Sequence, residues 1–352
     1  MEILYDARWI GNHGIGRFAG EMQRAIPGMS PYRISRRPSH PCDPVLLGAA
    51  LWRLQPRLFF SPGYNSPAGW PGPFVFTLHD LHHLHVPDNS SAMKRAYYRY
   101  FIRPACHRAQ AVLTVSDYSR DEIARWAGIH EQRIVNVGNG VGPAFSEVGP
   151  RFSPGFPYLL YVGSRKPHKN LTRLLRAFAA AGVDNEIRLL LSGSPDGEIA
   201  SLVHDCRLAG RVAFAELPDD DSLAAAYRGA VAVVFPSLYE GFGLPPLEAM
   251  ACATPVITSN VCAIPEVVGD AAWLVDPLRV DDIAHAIRSL VEDKVLQQTL
   301  RERGVARAAR FSWKTTAGKV SAVLTSVSGR TVLRPLEIAT PKHQAISSTP
   351  DS

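Results

Sequence analysis

Short apolar runs punctuate this chain, each followed by a stretch with helical spacing, and that alternation confines it to parallel sheets wrapped by helices. The runs are mostly apolar, and Val231 to Phe235 is so without a break, as in a strand covered on both faces. Ile3 to Tyr5, Arg57 to Phe60, Phe74 to Leu78, Ala111 to Val115 and Ile134 to Val137 read as strands in the first half. Tyr158 to Val162, Ile187 to Leu191, Val212 to Phe214, Val231 to Phe235, Val256 to Thr258 and Ala272 to Val275 do so in the second. A chain of 352 residues exceeds one ordinary core, which predicts two α/β domains with a groove between them. The boundary falls in the linker-like Gly149-Pro-Arg-Phe-Ser-Pro-Gly-Phe-Pro157. This divides the chain into domains at 1–150 and 151–327, with a polar, proline-bearing stretch, 328–352, expected to be disordered.

Charge is unevenly shared. Residues 1–150 hold 16 Lys and Arg against 11 Asp and Glu, a balance of +5, whereas the rest is close to neutral and the whole is +6. Lys94, Arg95, Arg99 and Arg103 interleave with Tyr97, Tyr98, Tyr100 and Phe101 at helical spacing. Two readings stay open: a helix lying on anionic lipid, or an ordinary amphipathic helix with its arginines in water. No nucleic-acid motif accompanies the small excess of charge, so nucleic acid is not an expected partner. Five scattered cysteines lack ligand spacing and fit a reducing cytoplasm without a structural metal. Neither a signal peptide nor a membrane-spanning run is evident.

The chemistry concentrates in Ser237-Leu-Tyr-Glu240-Gly-Phe-Gly-Leu-Pro-Pro-Leu-Glu248-Ala-Met250. An apolar strand ends at Pro236, Gly241 and Gly243 free the backbone of the loop, and Pro245 suits the first turn of a helix. The amides of Gly241, Phe242, Gly243 and Leu244 then sit at a helix start, where the dipole favours an anion. Glu240 before the helix and Glu248 one turn inside it can grip different ends of one polar ligand. Taken alone, the same residues also make a plain strand-to-helix turn with a solvated Glu240. The paired glutamates resemble the signature of the retaining family-4 glycosyltransferases, which have the two-domain GT-B fold of facing Rossmann-like domains. Ile264-Pro-Glu-Val-Val-Gly-Asp270, Trp273-Leu-Val-Asp-Pro277 and Phe152 to Phe178 are similar to further blocks of that family. Ala253 departs from it, standing where glycine is usual.

The resemblance implies roles. Glu248 would hold the ribose of a nucleotide diphosphate sugar, while Glu240 and the Gly241 to Leu244 amides take hexose hydroxyls and phosphate. Lys169 and a neighbouring arginine would balance the departing diphosphate. In Tyr161-Val-Gly-Ser-Arg165-Lys-Pro-His168-Lys169 the arginine positions hold Ser164 and His168, leaving Arg165 as the substitute and His168 as a donor-side group. After the first strand, Gly14 and Gly16 in Gly11-Asn-His-Gly-Ile-Gly-Arg17 face diphosphate or sugar by the same resemblance. His79, at a strand end where active sites collect, would line the reaction centre. Ser116 and Arg120 match a block that faces the acceptor, or else cap a helix and sit in water. His82, His83 and His85 invite a metal reading that no partner at ligand spacing supports. Asp219-Asp220-Asp221 reads as a helix cap and not as a metal motif.

The expectation is therefore a cytoplasmic, metal-independent hexosyltransferase that needs no cofactor besides its nucleotide-sugar co-substrate. GDP-mannose is the first donor and UDP-glucose the second, and the acceptor is a saccharide, lipid-linked at the membrane face. A nucleotide-sugar epimerase and a non-catalytic nucleotide-sugar-binding partner are the alternatives.

Overall fold

The computed structural model describes residues 3–11, 13–34, 36–86 and 90–329. Two six-stranded parallel sheets account for the strands. The first contains β1 (Ile3–Asp6), β2 (Met29–Tyr32), β3 (Leu58–Ser61), β4 (Phe74–Thr77), β5 (Ala111–Thr114) and β6 (Ile134–Asn136), in the order β2-β1-β3-β4-β5-β6. The second contains β7 (Tyr158–Tyr161), β8 (Arg188–Ser192), β9 (Val212–Ala215), β10 (Ala232–Phe235), β11 (Val256–Ser259) and β12 (Trp273–Val275), in the order β12-β11-β10-β7-β8-β9. Strand order reverses beside β1 in one sheet and beside β7 in the other, and ligands of such sheets bind at the strand ends next to the reversal. With its two doubly wound sheets facing a cleft, the chain has the GT-B fold.

Alternation along the strands divides each core in two. Phe60, Val75 and Leu113 pack on one face of the first sheet, while Phe59, Phe76 and Val112 pack on the other. In the second sheet Leu159 and Tyr161 face one layer of helices, and Tyr158 and Leu160 the opposite one. The strand β2 was not visible in the sequence: Met29-Ser-Pro-Tyr32 has neither an apolar run nor clean alternation, and its proline is tolerated because the strand lies at the sheet edge.

The chain returns to the first sheet at its end. Ser312 bridges to Val141, and the helix Trp313–Gly329 buries Trp313, Val320 and Leu324 in the core that holds Tyr5, Phe18 and Phe60. Ser328 and Gly329, expected in the tail, belong to this helix, where the Ser328 hydroxyl donates to the Leu324 carbonyl; the rest of that tail, 330–352, lies outside the described residues. Ala253, which stands where the resemblance expects glycine, takes the left-handed conformation (φ 55°), and Arg301 donates to its carbonyl at 3.0 Å.

Candidate active site

On the C-terminal side the site is assembled at the reversal point. The turn Pro167–Lys169 follows β7, and Asn170, at φ 63°, clamps it to the ends of β10 and β12 by donating to the carbonyls of Pro236 (2.9 Å) and Pro277 (2.7 Å). The His168 carbonyl adds to the clamp by accepting from Leu238 N–H. This geometry brings Lys169 Nζ to 2.5 Å from Glu240 Oε1, which also accepts from Ser237 Oγ at 2.6 Å. Gly243, at φ 107°, turns the chain into the helix Leu244–Ala251, whose start has no side-chain cap. Glu248, inside that helix, is 3% exposed and accepts from the Tyr227 hydroxyl at 3.1 Å. Burial raises its pKa, and the Arg17 guanidinium opposes the shift.

The N-terminal side presents the first turn of the helix Gly14–Ala25, where His13 Nδ1 accepts from Gly16 N–H at 3.0 Å. Gly14 faces Leu244 across the cleft: a Cβ added to it would stand 4.0 Å from Leu244 Cδ1. His79 follows β4 and donates from Nε2 to the Pro62 carbonyl (2.9 Å), with its ring edge-to-face on Phe18. Burial lowers its pKa to about 4, so the imidazole is neutral, and the Pro62 bond places its proton on Nε2. Next to it, burial pushes the Asp80 carboxyl up to about 6, with a further push from the charges of Glu240 and Glu122.

Between these surfaces lies a cleft of about 1100 Å³. Gly14, Gly16, His79, Lys169, Glu240, the loop Gly241 to Leu244, and Glu248 all line it, so residues as far apart as 14 and 248 meet across one cleft. Four assignments do not fit this geometry. Arg165 turns away to the Asp196 carboxylate and the Ser194 carbonyl, held over the Phe214 ring. His168 lies beneath the turn, 7% exposed, its ring 4.6 Å from that of His82, and burial with the adjacent Lys169 lowers its pKa to about 4. Ser116 is fully buried as the cap of the helix Asp117–Ala127, accepting from Ser119 N–H. Arg120 pairs with Asp117 and Asp121 on the surface of that helix. Ser116 and Arg120 thus take the alternative cap and surface reading that their sequence allowed.

Residues that sequence reasoning passed over complete the site. Arg17 crosses the cleft to pair with Glu248 and Asp220. Asp80 lies so close to Gly241 that a Cβ there would be 2.6 Å from Asp80 Cβ. Tyr239, from the loop before Glu240, donates to Glu122 Oε2 at 2.5 Å and accepts from Leu81 N–H at 3.2 Å, binding the two halves together. Glu266 adds a second tie by accepting from the N–H groups of Asp117 and Tyr118, both at 2.8 Å. As its sequence predicted, Asp219 caps the helix Asp220–Gly229, accepting from Ser222 N–H at 2.8 Å. Among the described residues no group of three or more His, Cys, Asp or Glu side chains is arranged to hold a metal ion.

Residues 12–145 match the family described as Glycosyltransferase Family 4, and residues 148–307 match Glycosyl transferases group 1. The O-antigen chain mannosyltransferase B of Escherichia coli is 34% identical over 255 residues, 68% of this chain and 67% of that protein. The chain is a family-4 glycosyltransferase. The glycosyltransferase is also 31% identical over 206 residues to the O-antigen chain mannosyltransferase RfbU of Salmonella typhimurium, covering 56% of it. Its match to a serotype-specific mannosyltransferase WbdA of Escherichia coli, 29% identical, spans only 28% of that longer protein. Among solved structures, a sucrose-phosphate synthase from Thermosynechococcus elongatus superposes with a TM-score of 0.74 at 20% identity, covering 93% of this chain and 99% of that one. WaaG, a glycosyltransferase involved in lipopolysaccharide biosynthesis, superposes with 0.73 at 15% identity, over 92% and 100%. HepE of Anabaena, solved with UDP-glucose, gives 0.72 at 17% identity, over 93% and 100%. These likenesses confirm the fold of the glycosyltransferase.

Proposed function

We propose that this glycosyltransferase moves mannose from GDP-mannose to a saccharide acceptor in cell-surface polysaccharide synthesis, with retention at the anomeric carbon and without a metal. The observation that carries the reading is the pairing of Lys169 with Glu240 beside the buried Glu248, across one cleft from the Gly14 to Arg17 turn. The mannosyltransferases among its relatives support the sugar. UDP-glucose is the second donor, favoured by the fold shared with a HepE structure that contains it.

In this reading Glu248 accepts from the ribose hydroxyls and Glu240 from the hexose. Lys169 balances charge on the diphosphate as the bond from the anomeric carbon to the phosphate oxygen breaks, and such charge stabilisation supplies most of the rate. The acceptor oxygen bonds to the anomeric carbon on the face the diphosphate leaves, and its proton passes to a phosphate oxygen. His79, neutral and fixed by Pro62, offers Nδ1 as an acceptor towards the sugar without adding charge.

A lipid-linked acceptor at the cytoplasmic face of the membrane fits the surface of the N-terminal half. No helix of the described residues is long and apolar enough to cross a membrane, but Met93 and Tyr100 are 62% and 66% exposed beside Lys94, Arg95 and Arg99. Apolar and basic side chains together suit anionic lipid.

A thermal-shift panel of GDP, UDP, ADP and TDP with their sugars, with and without EDTA, tests the donor and the metal together. Selective stabilisation by GDP and GDP-mannose that survives EDTA is the expected result; selective UDP-sugar binding overturns the donor, and no nucleotide binding overturns the reading. Glu240→Gln is expected to abolish sugar transfer with nucleotide affinity intact, and an unimpaired variant would refute the role of Glu240.

A further inference from the structure

The cleft is poorly furnished for a diphosphate. Its lining carries seven carboxylates (Glu21, Asp80, Asp219, Asp220, Asp221, Glu240 and Glu248) against three permanent cations among the described residues, Arg17, Arg24 and Lys169. Arg24 is held by Glu21 at 2.7 Å. Arg165 is turned to Asp196, and His168 is buried and neutral. A nucleoside diphosphate therefore meets Lys169 as one cation, and against the paired glutamates the cleft offers a single other.

That other is Arg17. It leaves the helix Gly14–Ala25 three residues after Gly14, which faces Leu244 across the cleft, and its guanidinium lies over the Phe145 ring with Glu248 and Asp220 as partners. The pattern is reciprocal: Lys169 is paired with Glu240 and Arg17 with Glu248, so each carboxylate of the signature is matched by one cation. A nucleotide sugar carries the complement of both pairs, hydroxyls for the carboxylates and phosphates for the cations.

We infer that Arg17 supplies the second diphosphate cation of this enzyme, releasing Glu248 to the ribose hydroxyls and taking the terminal phosphate when donor enters. The inference rests on the donor reading above. Arg17 is well suited to the exchange, because a guanidinium grips two phosphate oxygens at once and stays charged after it leaves a carboxylate. The entering ligand replaces ion pairs instead of stripping water from lone charges, which limits the desolvation cost of binding.

Titration calorimetry on the full chain distinguishes the outcomes. The probes are the nucleoside diphosphate that stabilises wild type and its monophosphate, with wild type, Arg17→Gln and Arg17→Lys. Loss of one charge-assisted contact should weaken diphosphate binding by Arg17→Gln about ten- to a hundredfold. Monophosphate binding should change little, and Arg17→Lys should recover part of the loss and lower the KM for donor relative to Arg17→Gln. Equal weakening of both nucleotides would reduce Arg17 to a support for Glu248 and overturn the inference. Unchanged or tighter diphosphate binding by Arg17→Gln would overturn it as well, leaving Arg17 as a mere competitor for Glu248. Failure of wild type to bind any nucleoside diphosphate would instead sink the donor reading first, a result separable from the other two.

Discussion

Gly16→Ala tests whether the first turn of the helix Gly14–Ala25 holds the donor loop by backbone contact alone. A Cβ at this position would stand 2.6 Å from Gly11 N and 2.7 Å from Gly11 C, with the Gly11 carbonyl oxygen nearer still. The obstacle is backbone, so no side chain can swing aside. Unstrained contact begins at 3.4 Å, so the loop has to move by about 0.8 Å or more, the difference between 3.4 and 2.6 Å. The displacement falls on Gly14 and Arg17, which face the cleft. Misplacing a positioned group by about 1 Å costs on the order of a hundredfold in rate. Overpacking of this kind costs about 1–3 kcal/mol in stability, which leaves the chain folded. The expected result is a kcat/KM for donor sugar that falls roughly a hundredfold, with a cooperative melt retained. Steady-state kinetics and thermal denaturation on the same preparation read both quantities. Wild-type kinetics in Gly16→Ala would refute the claim that this contact positions the site.

Two further outcomes follow from the geometry. Tyr239→Phe removes a donor from the buried Glu122 and an acceptor from Leu81 N–H, which should cost about 1–3 kcal/mol and lower Tm by several degrees; an unchanged melting temperature would show that this tie contributes nothing. His79 and His168 both have folded pKa values lowered from 6.5 to about 4, so the unfolded chain takes up protons before the native one does. Stability is then fully present above about pH 6.5 and lost as the pH falls towards 4. Chemical denaturation across that window checks the slope, and His79→Gln should flatten it; the same slope in the variant would assign the loss to other groups.

Most of the fold was legible because buried parallel strands announce themselves as short, mostly apolar runs. Every strand of the second sheet, and five of six in the first, lies where such a run stands. The exception, β2, is an edge strand with a proline and one buried residue, so burial left little imprint on its sequence. In the site, residues whose backbone does the positioning could be found: Gly14, Gly16 and the Gly241 to Leu244 loop all reach the cleft. Side-chain direction was less accessible. The turn from Ser164 to Lys169 offers several cations in a row, and only the fold decides that Lys169 faces Glu240 while Arg165 faces Asp196. Arg17 stood next to a recognised glycine turn, but its partner lies 231 residues along the chain, beyond the reach of any local pattern.

The return of the last helix to the first sheet has a consequence for anyone recombining such enzymes. Because Trp313, Val320 and Leu324 fill the same core as Tyr5 and Phe60, the N-terminal half is not contiguous in the gene. A chimera meant to import a new donor-binding half has to be joined twice, once in the linker near Gly149 and again near Phe311, with the native terminal helix kept. A single crossover would graft a foreign helix onto this core, and the hybrid would fail at packing before its sugar specificity was ever tested.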